Sequence, residues 1–490
     1  MSVHWPIIRR CLQRPLEVGI VDDRRAYRRI DVLAAALIVA DELERVSQSK
    51  VIGVMLPTSG AMPIAALAGW MLGRTVVPLN YLLKPEELQY VIDDCRPDTI
   101  VTTQPLLEHM GGEPARAHLV RIEELDFKSV PTPRWPALVS DADLACLLYT
   151  SGTSGKPKGV MLSHGNLATN VRQCVEWVNF TRAEVVLGVL PQFHSFGLTV
   201  LTLLPLMLGC KAVYTARFVP GKIVKLFREH RATAFVAIPS MYNALMQVKD
   251  GSAEDFKSLR YAVSGGEPLP EVVAKGFRER FGVTIAEGYG LTETSPVTNW
   301  CRPHEYRPHS VGRALPGVRE RIVSMETGAD VGAGVDGEVR ISGPNVMKGY
   351  YGLPKESAAC RDEEGYFRTG DIGRMDADGH LYITGRLKEM LIIGGENVFP
   401  REIEEVLNAH PSVKDSGVIG TSDPMRGELP LAFVELKEGE RFDQQSILTH
   451  CRGRLAGYKV PTEVRHLEAL PRNPTGKVMR RELKALANPK

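Results

Sequence analysis

The chain has 490 residues, 44% hydrophobic and 24% charged, with a formal net charge of +2. That length sets a prior of about three domains or lobes around a large core, and the composition is that of an ordinary globular protein. The near-neutral charge argues against a nucleic-acid binder working through a basic surface.

The opening residues 1–10 lack the apolar core of a signal peptide. The longest apolar runs, around 32–40 and 198–208, are too short to span a bilayer, and Pro205 interrupts the second. Peripheral membrane contact is left open. From 25 to 101 short apolar runs alternate with amphipathic ones: strands over 51–56, 75–79 and 99–101, helices over 61–72 and, opened by Pro85, over 86–95. This alternation predicts an α/β architecture with parallel strands.

The run Leu144-Ala145-Cys146-Leu147-Leu148 predicts a short buried strand. It leads into Tyr149-Thr150-Ser151-Gly152-Thr153-Ser154-Gly155-Lys156-Pro157-Lys158-Gly159, which packs three glycines, four Ser/Thr hydroxyls and two lysines together. Glycines let backbone amides approach a ligand, and lysines add charge without a fixed fork geometry. The pattern predicts a polyphosphate cradle. It is not the common NTPase loop, which needs a Gly five residues before its Gly-Lys pair and a Ser or Thr after the Lys; Thr150 and Pro157 occupy those places.

Further on, Ser163-His164-Gly165-Asn166 reads as a capped helix entry, and 185–191 as a strand that ends in the loop Pro191-Gln192-Phe193-His194-Ser195-Phe196-Gly197. A second α/β series over 212–285 includes strands at 234–239 and from Tyr261 towards Gly265-Gly266-Glu267. It precedes Glu287-Gly288-Tyr289-Gly290-Leu291-Thr292-Glu293-Thr294. From about Gly312 glycine and proline become frequent and the strands shorten (337–341, 380–384), predicting a β-rich subdomain. The last hundred residues predict a small α+β unit joined near Gly385-Arg386-Leu387-Lys388: helices over 401–409 and 444–455, strands over 413–419 and 431–436. The eight cysteines are scattered without a Cys-x-x-Cys pair, which reads as reduced thiols in a cytoplasmic protein.

Five motifs in this order resemble the adenylate-forming superfamily of acyl-CoA synthetases, luciferases and peptide-synthetase adenylation domains. They are 149–159, Phe193-His194, Gly288-Tyr289-Gly290-Leu291-Thr292-Glu293, Tyr366-Phe367-Arg368-Thr369-Gly370-Asp371, and Gly385-Arg386-Leu387-Lys388 with Pro471-Arg472-Asn473-Pro474-Thr475-Gly476-Lys477. The resemblance implies a large N-terminal domain (1–385) of two α/β subdomains plus a β-rich one. A small mobile α+β lid (386–490) would carry the catalytic lysine. It also implies two half-reactions: a carboxylate attacks the α-phosphorus of ATP, giving an acyl-adenylate and pyrophosphate, and a thiol then displaces AMP.

Under this resemblance Thr150, Ser151, Gly152, Thr153, Ser154, Gly155, Lys156 and Lys158 hold the β- and γ-phosphates. Glu293 ligates Mg²⁺, a hard cation suited to oxygen ligands. Gly265, Gly266, Glu267, Gly288, Tyr289, Gly290, Leu291, Thr292 and Ile383 join the nucleotide site, with the Tyr289 ring facing adenine. Asp371 takes the ribose diol with Arg386 as its companion. Lys477, carried in by the lid, bridges the carboxylate and the α-phosphate; His194, Thr292 and Glu293 complete the catalytic set. Lys388 falls at the hinge, and Gly394 and Gly395 resemble the face that admits the pantetheine of coenzyme A.

His194 stands where peptide-synthetase domains carry an Asp for the substrate amine, which argues against amino-acid activation. The stretch 194–200 resembles acyl-carrier-protein synthetases, and the apolar helix expected at 201–208 suits a fatty acid. Coenzyme A is thus the implied acceptor, with acyl carrier protein and an aryl acid as alternatives. A luciferase-type oxygenase shares the adenylation motifs, whereas a non-catalytic descendant would need decay at Lys477, Glu293 or Asp371, and none is seen.

Overall fold

A computed structural model describes residues 2–151, 156–472 and 476–487, and every structural statement below concerns these residues. The predicted alternation in the first hundred residues is present. Val51–Val54 pairs in parallel with Thr75–Pro78 and Thr99–Thr102, and the last with His118–Arg121. Thr75–Pro78 and Thr99–Thr102 are buried throughout, as strands covered by helices on both faces must be. Helices Ala61–Met71 and Pro85–Cys95 form the crossovers.

The strand entering the cradle is longer than expected. It runs over Leu144–Ser151 and returns antiparallel as Pro157–Ser163, with Thr150 opposite Lys158. The described ends of the cradle, Tyr149–Ser151 and Pro157–Gly159, therefore lie on two antiparallel strands of a seven-stranded sheet. Pro157 and Gly159 lower local strand propensity and hid the return strand from a sequence reading. After it comes helix His164–Val178, whose entry is capped reciprocally. Ser163 Oγ accepts from the Asn166 N–H at 3.1 Å, and Asn166 Oδ1 accepts from the Ser163 N–H at 3.0 Å.

A nine-stranded sheet holds the second series. Its parallel centre runs Lys211–Tyr214, Val185–Gly188, Ala234–Ala237, Tyr261–Ser264 and Ile285–Gly290. The N-terminal hairpin Val18–Val21/Ala26–Arg28 completes one edge, with Val18–Val21 parallel to Lys211–Tyr214. The helix expected at 201–208 differs: it is π-helical over Gly197–Leu203 and α-helical only over Leu204–Leu208. Pro205 has no N–H to give the Leu201 carbonyl, and the Tyr214 hydroxyl donates to that carbonyl instead, at 2.8 Å.

The β-rich part is a four-stranded antiparallel sheet: Arg319–Val323, Gly337–Ser342, Phe367–Met375 and Leu381–Arg386. The small C-terminal domain is a separate mixed sheet built on the long pair Val413–Asp423/Gly427–Leu436, covered by helices Pro400–Asn408, Gln444–Arg452 and Arg480–Ala487. It has its own apolar core around Val398, Ile403, Leu407 and Val434. The protein is thus a mixed α/β fold with a large N-terminal and a small C-terminal domain. In the last strand of the four-stranded sheet, Gly385 lies so near the Phe399 ring that an added Cβ would come within 2.5 Å of Cδ1.

Candidate active site

The carboxyl ends of the parallel strands Val185–Gly188, Ala234–Ala237, Tyr261–Ser264 and Ile285–Gly290 open into a cavity of about 1150 Å³. That is where an open α/β sheet binds ligands. The cavity wall gathers Thr150, Lys158, His194, Gly265, Gly266, Glu267, Gly288, Tyr289, Gly290, Leu291, Thr292, Glu293, Asp371, Arg386, Lys388 and Lys477. Residues more than three hundred positions apart in the chain thus face one space.

Other expected site residues lie elsewhere. Lys156 is exposed, its Nζ 5.6 Å from the Tyr90 ring centre. Ile383 is off the cavity wall, and its carbonyl accepts from the Arg401 guanidinium. Gly394 and Gly395 form the turn between Leu391–Ile393 and Glu396–Val398, both with positive φ (61° and 89°). Gly394 borders a separate depression with Arg426 and Tyr458. Of Ser151 only the backbone is described, at the end of its strand, and Gly152, Thr153, Ser154 and Gly155 lie outside the described residues.

Asp371 and Arg386 are directly opposed in the antiparallel pair Phe367–Met375/Leu381–Arg386. Arg386 Nε lies 2.8 Å from Asp371 Oδ1, and the Tyr289 hydroxyl donates to Oδ2 at 2.6 Å. The Asp371 carboxylate is thereby fixed at the cavity wall while its residue is only 2% exposed. A charged acceptor held this way is set to receive hydroxyl donors.

Glu293 lies on the 3₁₀ turn Thr292–Thr294, just after the close-packed Gly290. Its Oε1 accepts from the Tyr350 hydroxyl at 2.9 Å, and Lys158 Nζ sits 5.3 Å from the centre of the same tyrosine ring. Burial pushes the Glu293 carboxyl above its usual range, opposed by hydrogen bonds and by Arg386. Among the described residues there is no group of three or more His, Cys, Asp or Glu side chains able to cage a metal. A single carboxylate on the cavity wall fits Mg²⁺, which is commonly held through one or two carboxylates plus substrate phosphates.

His194 lines the cavity from the turn after Pro191, with its N–H donated to the Pro191 carbonyl at 3.1 Å. Its surroundings in the cavity wall lower its pKa through desolvation. Its Nδ1 faces the Phe196 N–H at 3.4 Å. The neighbouring Ser195 hydroxyl lies 3.2 Å from that of Thr292, tying the His194 loop to the Glu293 turn.

Lys477 enters from the C-terminal domain. The preceding Gly476 (φ +93°) approaches the cavity wall so closely that an added Cβ would lie 2.7 Å from Ile238 Cδ1. Arg472 Nη1 donates to the Gly476 carbonyl at 2.9 Å and shapes this approach. Burial, with the Arg386 and Arg480 cations nearby, pulls the Lys477 pKa down, while Glu389 and Asp371 oppose the shift. Across from it Glu267 is pushed up to about 7, mainly by burial and then by Asp415, with Lys477 and Arg472 counteracting.

The residues that sequence reasoning passed over are Tyr350, Ser195, Phe196 and Arg472. Phe196 presses on the wall at Gly265, where a Cβ would lie 2.8 Å from Cε1. Ser195, Phe196 and Arg472 stood inside recognised motifs without a role. Tyr350 had no local signal, because its partner lies 57 positions away.

Residues 20–351 match the family described as AMP-binding enzyme, and 402–477 match the AMP-binding enzyme C-terminal domain. The long-chain-fatty-acid–CoA ligase of Bacillus subtilis (strain 168) is 38% identical over 354 residues, 71% of this chain and 62% of its own length. The feruloyl-CoA synthase of an Amycolatopsis species is 35% identical over 417 residues, 84% of each chain. The crystal structure of ATP-bound MatB from Rhodopseudomonas palustris superposes with a TM-score of 0.90 at 30% identity, covering 99% of both chains. With sequence, fold and cavity in agreement, the chain belongs to the AMP-binding enzyme family, the adenylate-forming acyl-CoA synthetase superfamily, as a ligase of the AMP-forming acid–thiol class.

Proposed function

We propose that the protein activates a fatty acid with ATP and passes the acyl group to the thiol of coenzyme A. The observation that carries this reading is an apolar wall beside His194, in the same cavity as Lys477 and Glu293. Leu190, Val200, Val236, Ile238, Met241 and Val263 make that wall, and five of the six are buried hydrophobics. An apolar lining with a few convergent polar groups is how a site takes a hydrophobic acid by its carboxylate end.

In the first half-reaction the carboxylate oxygen attacks the α-phosphorus and pyrophosphate leaves with the P–O bond electrons. Lys477 offsets the repulsion between the two anions, and Asp371, held by Tyr289 and Arg386, orients the nucleoside through its ribose hydroxyls. Thr150 and Lys158 face the leaving pyrophosphate. Glu293 would hold Mg²⁺, which when bound supplies neutralising charge at the phosphates. A static donor set of this kind acts where charge develops. In the second half-reaction the thiol sulfur bonds to the acyl carbon and AMP departs.

The Gly394-Gly395 turn is away from the cavity in the orientation described, with Lys477 in it. Rotation of a lid, with the boundary at Gly385/Arg386 and Lys388 as hinge, would exchange the two faces. An aryl acid is the second reading, favoured by the likeness to feruloyl-CoA synthase. Pyrophosphate release measured with coenzyme A over a ladder of straight-chain acids and ferulate tests both. Turnover should rise with chain length and be lowest for acetate; a maximum at acetate or at ferulate would overturn the fatty-acid reading.

A further inference from the structure

We propose that Tyr350 is a positioning residue for two opposite charges of the site: its hydroxyl aims the Glu293 carboxylate at a divalent cation, and its ring face holds Lys158 for the polyphosphate. All three side chains line the cavity. The hydroxyl donates to Glu293 Oε1 at 2.9 Å. Lys158 Nζ stands 5.3 Å from the ring centre, within the range of a cation–π contact. Lys158 is in no ion pair among the described residues. The ammonium and the carboxylate therefore meet one tyrosine and not each other.

The backbone places this ring. The short strand Gly349–Tyr350 pairs antiparallel with Pro157–Ser163, Tyr350 opposite Val160. Side chains two apart on a strand share a face, so Lys158 emerges on the side of Val160 and meets the ring. The same segment is also joined to the Glu293 turn. The Met347 N–H donates to the Glu293 carbonyl at 2.7 Å, and Asn345 Nδ2 donates to the Thr294 carbonyl at 2.9 Å. The Ser295 hydroxyl donates back to the Asn345 carbonyl at 2.7 Å. Residues 345–350 thus bridge the strand that carries Lys158 and the turn that carries Glu293.

The phenol is not needed to hold the segment in place, because backbone bonds already join it to both elements and Ser357 Oγ accepts from the Tyr350 N–H at 2.8 Å. Its one donor is directed instead to a carboxylate on the cavity wall. Without the ring, Lys158 and Glu293 would be free to pair, each neutralising the charge that the other offers to its ligand. A carboxylate already oriented by a hydrogen bond binds a metal ion in a set geometry, as outer partners of metal ligands do elsewhere. This role rests on Glu293 being the Mg²⁺ carboxylate and is independent of which acid is activated.

The test is calorimetric titration of the full chain, without the acid so that nothing turns over, using AMP, ATP with EDTA, and ATP with Mg²⁺. Tyr350→Phe keeps the ring and removes the hydroxyl. It should cut the tightening of ATP by Mg²⁺ about two- to tenfold and leave AMP and metal-free ATP as in the parent. Tyr350→Leu removes the ring as well and should also weaken metal-free ATP about two- to fivefold, with AMP again unchanged. AMP has no β- or γ-phosphate, so a parallel loss of AMP affinity in both variants would mean a structural role only and overturn the proposal. A parent-like Mg²⁺ effect in Tyr350→Phe overturns it too, as does metal-free ATP binding in Tyr350→Leu equal to that in Tyr350→Phe. Glu293→Gln separates the two levels. If it keeps the Mg²⁺ effect, the metal role of Glu293 falls and this role with it; if it loses the effect while Tyr350→Phe does not, Tyr350 alone is removed.

Discussion

Replacing Asp371 by Asn probes the nucleotide wall with a minimal change of shape. The carboxylate accepts the Tyr289 hydroxyl at 2.6 Å and pairs with Arg386 Nε at 2.8 Å. At that separation two unit charges attract by about 6 kcal/mol at an effective dielectric of 20, and desolvation offsets most of it. The Arg386 side chain is 36% exposed against 3% for Asp371, so solvent screens the pair further. We therefore take the worth of one hydrogen bond to a charged group, about 1.5–3 kcal/mol. The amide can keep one acceptor towards Tyr289, but its NH₂ then faces the Arg386 donor. The expected result is a loss of roughly ten- to a hundredfold in kcat/KM for ATP in ATP–pyrophosphate exchange, with the KM for the acid little changed. Parent-like ATP kinetics in Asp371→Asn would refute the role of this carboxylate, and an equal loss towards acid and ATP would point to unfolding instead.

Lys477→Ala should cut pyrophosphate exchange by at least about a hundredfold, as expected for removal of a cation aimed at developing charge, while AMP release from supplied acyl-adenylate and coenzyme A is largely spared; parallel loss of both half-reactions would contradict the assignment. Lys388→Pro, in the short turn Leu387–Glu389, should leave exchange measurable and block thioester formation, because proline fixes φ at the hinge; normal overall turnover would remove the hinge. Glu287 is 6% exposed, and burial pushes its carboxyl up to about 7, with Arg401 and the Leu269 N–H opposing. The folded state therefore holds its proton more tightly than the unfolded chain, so stability falls as pH rises from about 4.5 through 7 and is level above. Glu287→Gln should remove that slope and gain up to about 3 kcal/mol at pH 8 relative to pH 4, read by chemical denaturation; an unchanged pH profile would refute it.

Much of the fold was legible because each element announced itself locally. Strands such as Thr75–Pro78 were continuous apolar runs, helix Pro85–Cys95 opened on its proline, and Ser163 and Asn166 capped the helix they were expected to cap. The return strand Pro157–Ser163 and the π-helical turn over Gly197–Leu203 were not legible. The first defies its own propensity, because pairing with Leu144–Ser151 outweighs it. The second depends on the Tyr214 hydroxyl, which reaches the Leu201 carbonyl from a different strand. Within the site, Asp371 and Arg386 were paired by the family resemblance and are register partners in the sheet. Tyr350, the residue that holds Glu293, carried no sign of its role.

Five motifs in order were enough to point to the family and so to the kind of chemistry, and the cradle, the acidic turn, the aspartate–arginine pair and the late lysine took their expected roles from that resemblance, none of them from its neighbours alone. Only three-dimensional packing decided which of them share a space. Gly476 reaches the wall at Ile238 and Lys477 lines the cavity, while Gly394 and Gly395 lie elsewhere and Lys156 sits near Tyr90. The reason is that side-chain identity and spacing are properties of short segments, whereas convergence depends on sheet register and on how one domain lies against another, and both are set by contacts between residues hundreds of positions apart.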